Sequence, residues 1–426
     1  MKSLLFSLLL TLAIFPTYLA SSNLEFSNNR STESLNKKSN TALFGTVPFV
    51  TTWKTDNPGT SANNQITIPT RNTETYNYTV DWGDGTPTTV ETGNATHTYA
   101  IPGTYTVSIT GLFPQIYFSF NGDRRKILSI EQWGNNQWVS MNNAFSGCTN
   151  LDITNPAIDV PDLSNATDLA SMLTVATNFN GDITAWDVST ITDMRGMFEG
   201  ASSFDQDIGG WNVGNVLTMR GMFYGASAFN QNIDSWDVSD VTSVASMFRG
   251  ASSFNRTIAS WNVGSVTDMT YMFNDAIAFN QNIAGWNVGN VTDMTRMFEG
   301  AILFNQNIGS WNVANVTNMS SMFEEAEAFN QNIGGWDVRN VTRMDYMFRE
   351  AIAFNGDIRL WDVSSVTRMS YMFSVATSFN QAIGNWNTSS AIYMDGMFNN
   401  CEIFNQDIGN WNVSNVITMS DMFEVA

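Results

Sequence analysis

The sequence predicts an all-β sandwich followed by an α/β solenoid of repeated coils. In the second part of the chain, tryptophan recurs every 25 residues without an insertion, at Trp186, Trp211, Trp236, Trp261, Trp286, Trp311, Trp336, Trp361, Trp386 and Trp411. A period of about 20–50 residues indicates a solenoid or a propeller. In residues 48–111, apolar and polar residues alternate between turns rich in glycine and proline, which indicates antiparallel strands.

The first 22 residues have the pattern of a secretory signal peptide: Lys2, an apolar block, and small residues at the end. A membrane anchor is the alternative, but Ser7, Thr11 and Pro16 interrupt the block, which is shorter than the ~20 residues that a span requires. We therefore expect a secreted or cell-surface protein with no membrane span after cleavage. Residues 23–45 contain little apolar content and are predicted to form a disordered linker.

Composition and charge exclude several classes of function. The chain has 19 Lys and Arg against 39 Asp and Glu, a net charge of −20, which opposes binding to nucleic acid. His97 is the one histidine in the sequence, so histidine metal sites and histidine-dependent triads are excluded. The sequence therefore predicts a protein that is not an enzyme, with no catalytic residues, no metal and no cofactor.

Residues 46–138 are predicted to form the sandwich. The segments WGDG at 82–85, HTY at 97–99 and GTYTVSI at 103–109 are similar to the PKD domain, an immunoglobulin-like sandwich. Asp84 and His97 are interpreted as structural residues, in a tight turn and in sandwich packing, although either residue type also binds metals. An exposed turn at Asp123, Arg124, Arg125 and Lys126 is expected to precede a last strand at residues 127–130.

Residues 139–426 are predicted to form the solenoid. Ile283, Trp286, Val288 and Val291 have the LxxLxL spacing of a short strand, and Met294, Met297, Phe298 and Ala301 have helical spacing. One such unit buries too little to fold alone, so we expect each aromatic residue to stack on its copy in the next coil. The carboxamides of Asn280, Gln281 and Asn282 and their copies are expected to bond along the stack.

The repeated string FNQNIGxWNVxNVTxMxxMFxxA resembles the BspA-like leucine-rich repeat family of bacterial surface proteins. This resemblance implies an α/β leucine-rich-repeat solenoid displayed outside the cell and associated with adhesion, without catalytic activity. The sequence ends at Ala426 in the middle of a unit, without the polar cap that a solenoid end requires, so we expect the natural protein to continue.

Two surfaces of the coils are candidates for binding an extracellular protein or glycan. Asp187, Asn212, Asp237 and their copies form an acidic column. Within it, the carboxylates of Asp337 and Asp362 are of the type that binds calcium weakly. We favour the alternative, in which the column is a row of solvated polar side chains. Sequence variation is concentrated on the predicted helical side instead. There Tyr346, Tyr371, Arg343 and Arg368 are of the residue types enriched in binding hot spots, although surface drift in a repeat produces the same scatter.

The leading functional hypothesis is therefore a non-catalytic recognition or adhesion protein. A second hypothesis is a structural surface or matrix component that self-associates. The third is an accessory module of a larger secreted enzyme acting on polysaccharides, which is ranked last because the sequence shows no pair of carboxylates suited to glycoside hydrolysis.

Overall fold

The computed structural model describes residues 45–152 and 158–425, which belong to one compact unit. The predicted signal peptide, residues 1–22, lies outside the described residues, as does the predicted linker up to residue 44. No helix in the described part of the chain is long and apolar enough to cross a membrane.

The N-terminal region is built from antiparallel strands. Within the described residues the strands are β1 (Phe49–Lys54), β2 (Gln65–Ile68), β3 (Asn77–Asp81), β4 (Thr89–Glu91), β5 (Ala95–Thr98), β6 (Thr104–Leu112) and β7 (Ile127–Gln132). They form a five-stranded sheet in the order β4-β3-β6-β1-β7 and a two-stranded sheet of β2 and β5. All of these pairings are antiparallel, which agrees with the period-two pattern of the sequence.

The core of this region is formed by alternate residues of both sheets. Tyr78 and Val80 of β3 and Ile66 and Ile68 of β2 are fully buried, whereas the residues between them are partly exposed. Because strand side chains alternate between faces, the register alone decides which residues enter the core. The buried cluster continues without a break into the coils.

Strand β7 joins the sheet to the coils. One edge of β7 pairs with β1. Ser129 of β7 also forms a parallel bridge with Asp152, the first in a series of bridges between successive turns of chain. Trp133, just after β7, contacts Trp186 of an early coil edge-on at 5.4 Å. The coils therefore cover a sheet edge that would otherwise present unpaired backbone groups.

The coils have neither the predicted helix nor the predicted strand. Each described coil is joined to the next by an isolated parallel bridge, from Asp168 with Asp193 to Tyr393 with Thr418. Residues 158–425 contain no helix and no strand. The prediction of an α/β leucine-rich-repeat solenoid, with a short strand and a short helix in each coil, is therefore wrong.

The helical prediction fails because left-handed residues interrupt the chain. In one typical coil, Arg296 and Gly300 have φ values of 57° and 66°, and equivalent residues recur through the stack. Left-handed residues cannot continue a right-handed helix. The segment instead forms turns, such as the one closed by Met297 N and Met294 O at 3.2 Å. The amides of Met294, Arg296, Phe298 and Gly300 then donate to carbonyls of the next coil rather than to their own.

The predicted strand is also replaced by turns. Val291 N donates to Val288 O at 2.9 Å, and the Oδ1 atom of Asn287 accepts a hydrogen bond from Gly289 N at 3.2 Å. These local bonds fold the segment back on itself, as Asn and Asp side chains commonly do in turns. The inward residues are those that the sequence predicted, but turns rather than regular elements bring them inward.

Aromatic side chains stack along the coils, as predicted. Phe298 lies 5.5 Å from Phe273 and 5.6 Å from Phe323, measured between ring centroids, with nearly parallel planes. Trp286 is 3% exposed, and its indole N–H donates to Ile258 O of the preceding coil at 3.0 Å. The same indole bond recurs in nine coils. It satisfies a buried donor and fixes the ring.

The predicted polar ladder is present at the surface of the stack. Asn305 N donates to the Oδ1 atom of Asn280 at 3.0 Å, and Gln306 Nε2 donates to the same oxygen at 2.9 Å. Equivalent bonds from backbone amides recur along the stack. The carboxamides therefore have a structural role, because they join successive coils.

The turn at residues 123–126 is exposed at Arg125, as predicted, but departs from the prediction at two of its residues. Asp123 and Lys126 are fully buried rather than exposed, with their charged atoms 3.8 Å apart. Lys126 Nζ donates to the carbonyls of Ala62 and Gln65, and Asp123 accepts from the backbone amides of the same loop. Burial lowers the pKa of Lys126, although the Asp123 carboxylate opposes that shift. The four charged residues predicted a solvent-exposed turn, because the loop that hydrogen-bonds to both buried charges lies about 60 residues away in the chain.

Candidate functional site

The four residues that the sequence singled out lie on two adjacent coils. Arg343 and Arg368 form the isolated bridge between these coils, and Arg368 forms the next bridge with Tyr393. Tyr346 and Tyr371 occupy equivalent positions three residues after each arginine. The structure thus brings the four together with Tyr393 on one surface, which we call the tyrosine-arginine patch (Arg343, Tyr346, Arg368, Tyr371 and Tyr393).

A buried carboxylate holds the arginines of the patch. Asp345, whose side chain is only 3% exposed, accepts from Arg343 Nε at 3.4 Å and from Arg368 Nε at 3.1 Å. The arginine side chains themselves are 48% and 42% exposed. The Arg368 guanidinium also lies 4.5 Å from the centroid of the Tyr393 ring. Both guanidinium groups are therefore oriented by the protein while part of each remains available to a partner.

The tyrosines of the patch form a stacked pair. The Tyr346 and Tyr371 ring centroids are 5.3 Å apart and their planes differ by 4°. Both residues have left-handed backbone, with φ values of 59° and 57°. The Tyr371 ring leaves no room for a Cβ atom at Gly396 in the next coil. Burial raises the pKa of Tyr346, and the adjacent Tyr371 adds to this shift, so the Tyr346 hydroxyl stays neutral.

The acidic column is accounted for by local turns. Asp337 is paired with Arg339 at 2.6 Å, and the Oδ1 atom of Asp362 accepts from Ser364 N at 3.1 Å. These hydrogen bonds lower the pKa of each carboxyl. In the part of the chain that the structure describes, no group of three or more His, Cys, Asp or Glu side chains is arranged to hold a metal ion.

Asp84 and His97 contact each other in the sandwich. The Nε2 atom of His97 lies 2.8 Å from the Oδ2 atom of Asp84, and its ring stacks on Trp82 at 4.9 Å. Asp84 also accepts from the backbone amide of Thr86 at 3.0 Å. Partial burial raises the pKa of Asp84, but the bonds from Thr86 and His97 outweigh burial and lower that pKa to about 2. The pair links the turn after β3 to β5, which is a structural role.

Comparison with known families identifies both regions. Residues 139–259, 227–336 and 319–426 match a family described as "Mycoplasma protein of unknown function, DUF285". These overlapping matches extend from residue 139 to residue 426, more than half of the 426-residue chain. The chain belongs to the DUF285 family. Residues 47–111 of this DUF285 protein also match the PKD domain, which is typical of extracellular and cell-surface proteins. No curated protein and no solved structure matches the chain.

Sequence reasoning missed Tyr393 and the role of Asp345 in the patch of this DUF285 protein. Tyr393 has the same position in the 25-residue repeat as Arg343 and Arg368, so comparison of the coils in register was the available signal. The role of Asp345 escaped prediction, because its burial between two arginines depends on packing and has no sequence signal. Arg349, also near the patch, is occupied by ion pairs with Glu324 and with its neighbour at 350, at 2.9 and 2.6 Å.

Proposed function

We propose that this DUF285 protein is an exported, non-catalytic recognition protein that binds an extracellular protein or glycan through the tyrosine-arginine patch. The single observation that carries the proposal is the convergence of Arg343, Arg368, Tyr346, Tyr371 and Tyr393 on neighbouring coils. In most other positions the coils repeat the same residues. Variation therefore gathers where two arginines and three tyrosines face outward together.

The side chains of the patch are of the types, and in the fixed arrangement, that suit binding to a partner. Tyrosine and arginine are enriched among residues that dominate interfaces, because they combine large area with hydrogen bonding. The stacked ring pair and the shared Asp345 carboxylate already fix four of the five side chains. Binding then loses less side-chain entropy, roughly 0.5–1.5 kcal/mol for each side chain that is already ordered.

Other features support an extracellular role. The match to the PKD domain, the predicted signal peptide and the resemblance of the repeats to BspA-like surface proteins all favour display outside the cell. The net charge of −20 disfavours anionic membranes and nucleic acid as partners, so a protein or a glycan is the better candidate.

The test compares two charge-matched variants of the full chain. The patch variant is Arg343→Ser, Arg368→Ser, Tyr346→Ser and Tyr371→Ser, and beads carrying it are passed over surfaces coated with collagen, fibronectin or mucin. The control variant, Arg339→Ser and Arg359→Ser, removes two exposed arginines from the turns that contain Asp337 and Asp357.

We expect the wild-type chain and the control variant to be retained on at least one surface and the patch variant to lose retention by at least tenfold. Circular dichroism and the unfolding midpoint show whether each variant keeps the fold. The proposal is contradicted if the wild-type chain binds none of the three surfaces. It is also contradicted if the patch variant is retained as well as the control variant.

A further inference from the structure

A groove opens on early coils, at Gly196 and Gly221, which lie six and five coils before Tyr346 of the tyrosine-arginine patch. The left-handed position that holds Tyr346 and Tyr371 in the patch holds Gly196 and Gly221 in two successive coils. Serines occupy the adjacent coils on either side, at positions 171 and 246. The missing side chains leave an open groove of about 310 Å³. In the coil after Ser246, Tyr271 occupies the same position and ends the groove.

The groove is not imposed by the packing of the coils. A Cβ atom added to Gly221 meets nothing closer than the Tyr224 Cβ atom at 4.0 Å. Tyr271 and Arg296 occupy the same position in later coils with φ values of 58° and 57°, so the fold accepts large side chains there. The space above Gly221 is therefore a property of this part of the sequence rather than a requirement of the repeat.

An arginine with spare donors lines the groove. Arg220 is 62% exposed, and among the described residues its one ion pair is long, with 3.9 Å between its Nη1 atom and the Oδ2 atom of Asp268. Arg195, which also lines the groove, is instead held by Asp193 at 2.6 Å. A guanidinium with unused N–H groups binds a carboxylate through two parallel hydrogen bonds. Arg220 is the group that supplies this fork.

The other lining groups suit a sugar. Tyr224 is 36% exposed, and Arg249 of the next coil lies 5.1 Å from its ring centroid, which orients the ring. Glu199 lines the groove three residues after Gly196. The serine hydroxyls at the ends of the groove add donors and acceptors. An aromatic ring beside hydroxyl and carboxyl groups can pack on a sugar ring and bond to its hydroxyls.

The volume of the groove and the net charge of the protein limit the class of ligand that the groove can bind. The volume of 310 Å³ is at the lower end of small-molecule pockets, which span about 300–1,000 Å³, and fits one sugar ring better than an extended peptide. A net charge of −20 repels anions, and long polyanions most strongly, so among acidic sugars one with a single carboxylate is the most compatible. We propose that this groove binds a monosaccharide unit that carries one carboxylate, such as a hexuronate, with Arg220 on the carboxylate and Tyr224 against the ring.

The test titrates the full chain with glucuronate by calorimetry and by NMR. Glucose, acetate and a glutamate-containing tripeptide serve as separate probes for the ring, the carboxylate and an acidic peptide. Arg220→Gln removes the fork, and Gly221→Tyr fills the groove with a side chain that equivalent coils already hold. Arg359→Gln and Gly225→Asn are the controls, since they remove an exposed arginine and a left-handed glycine outside the groove.

We expect glucuronate to bind, glucose and acetate to bind at least tenfold more weakly, and both groove variants to lose at least tenfold in affinity. The controls are expected to stay within twofold of the wild-type chain. The proposal is overturned if glucuronate does not bind, if the groove variants bind it as well as the controls do, or if the tripeptide binds more tightly. None of these variants alters the tyrosine-arginine patch, so the retention assay fails or succeeds independently.

Discussion

The sandwich and the coils both bury aromatic rings, but they arrange them differently. In the sandwich, Phe49 packs edge-on to Trp138 at 83° and stacks on Trp133 at 28°, so each contact has its own geometry. In the coils, Phe298 faces Phe273 and Phe323 at 8° and 4°, and the same contact recurs in each described coil from Phe198 onward. The sandwich depends on unique contacts, whereas the coils depend on repeated ones.

This difference determines how far a local change spreads. A repeat contacts only its neighbours, so its stability is close to a sum of equal interface terms. In the sandwich, one buried group fixes loops that are distant in sequence, and its loss affects the whole region. We therefore expect large, site-specific effects in the sandwich and smaller, interchangeable effects in the coils.

The largest effect is expected from the buried pair in the sandwich. Lys126→Met leaves Asp123 as an uncompensated buried charge, which costs about 3–5 kcal/mol in the free energy of unfolding. Urea unfolding of the full chain measures this loss. Lys54→Met is the matched control, because the Lys54 side chain is 45% exposed and its ion pair is long, at 3.9 Å. A loss below about 1 kcal/mol for Lys126→Met would mean that the pair is not buried as described.

A smaller effect, equal in different coils, is expected from the indole bonds. Trp286→Phe removes the indole bond to the carbonyl of Ile258, which keeps a hydrogen bond from the Trp261 amide at 3.3 Å, so the lost bond costs about 0.5–1.5 kcal/mol. Trp361→Phe removes the equivalent bond to Ile333, so urea unfolding is expected to give the same loss within about 0.5 kcal/mol. Markedly unequal losses would show that the coils are not interchangeable.

The acid dependence of stability has one specific source in the sandwich, the carboxyl of Asp84. The folded pKa of Asp84 is lowered to about 2, below the value of about 3.9 in an unfolded chain, so its contribution to stability is present above that value. It is lost as the pH falls toward 2. We expect Asp84→Asn to weaken the acid dependence of sandwich unfolding, measured by circular dichroism from about pH 6 to about pH 2. An unchanged acid dependence would argue against the Asp84 contacts.

The smallest effect is a gain in stability from relieving backbone strain in a coil. Val375 has a left-handed φ of 59°, which is unfavourable for a β-branched residue, whereas Asn400 occupies the same position in the next coil. Val375→Asn is expected to raise the free energy of unfolding by about 0.5–1 kcal/mol. Asn400→Val, the reverse change, is expected to lower it by a similar amount. Two changes of the same sign would contradict a left-handed backbone at these positions.

The sequence predicted the buried residues of the coils far better than their backbone. Met294, Met297, Phe298 and Ala301 are all buried, as the helical spacing required. Successive turns bring the same spacing inward, so periodicity did not distinguish turns from a helix. Arg296 gave no warning of its left-handed conformation, because the fold rather than the residue type imposes it.

Prediction of the candidate site was limited for a related reason. Register within the repeat placed Arg343, Arg368, Tyr346 and Tyr371 near one another, because equivalent residues of successive coils are neighbours. The burial of Asp345 between the two arginines depends on side-chain packing, which a single sequence does not encode in a recognisable pattern. The burial of Lys126 escaped prediction because its partners come from a distant loop.

The central claim is that the coils of residues 158–425 consist of turns with left-handed residues, are joined to their neighbours by backbone hydrogen bonds, and contain no helix. Residue-specific NMR Cα chemical shifts and backbone couplings for residues 294–301 test it most directly. The account predicts left-handed values at Arg296 and Gly300, interrupting any helical run. An unbroken series of helical shifts across these eight residues would contradict it.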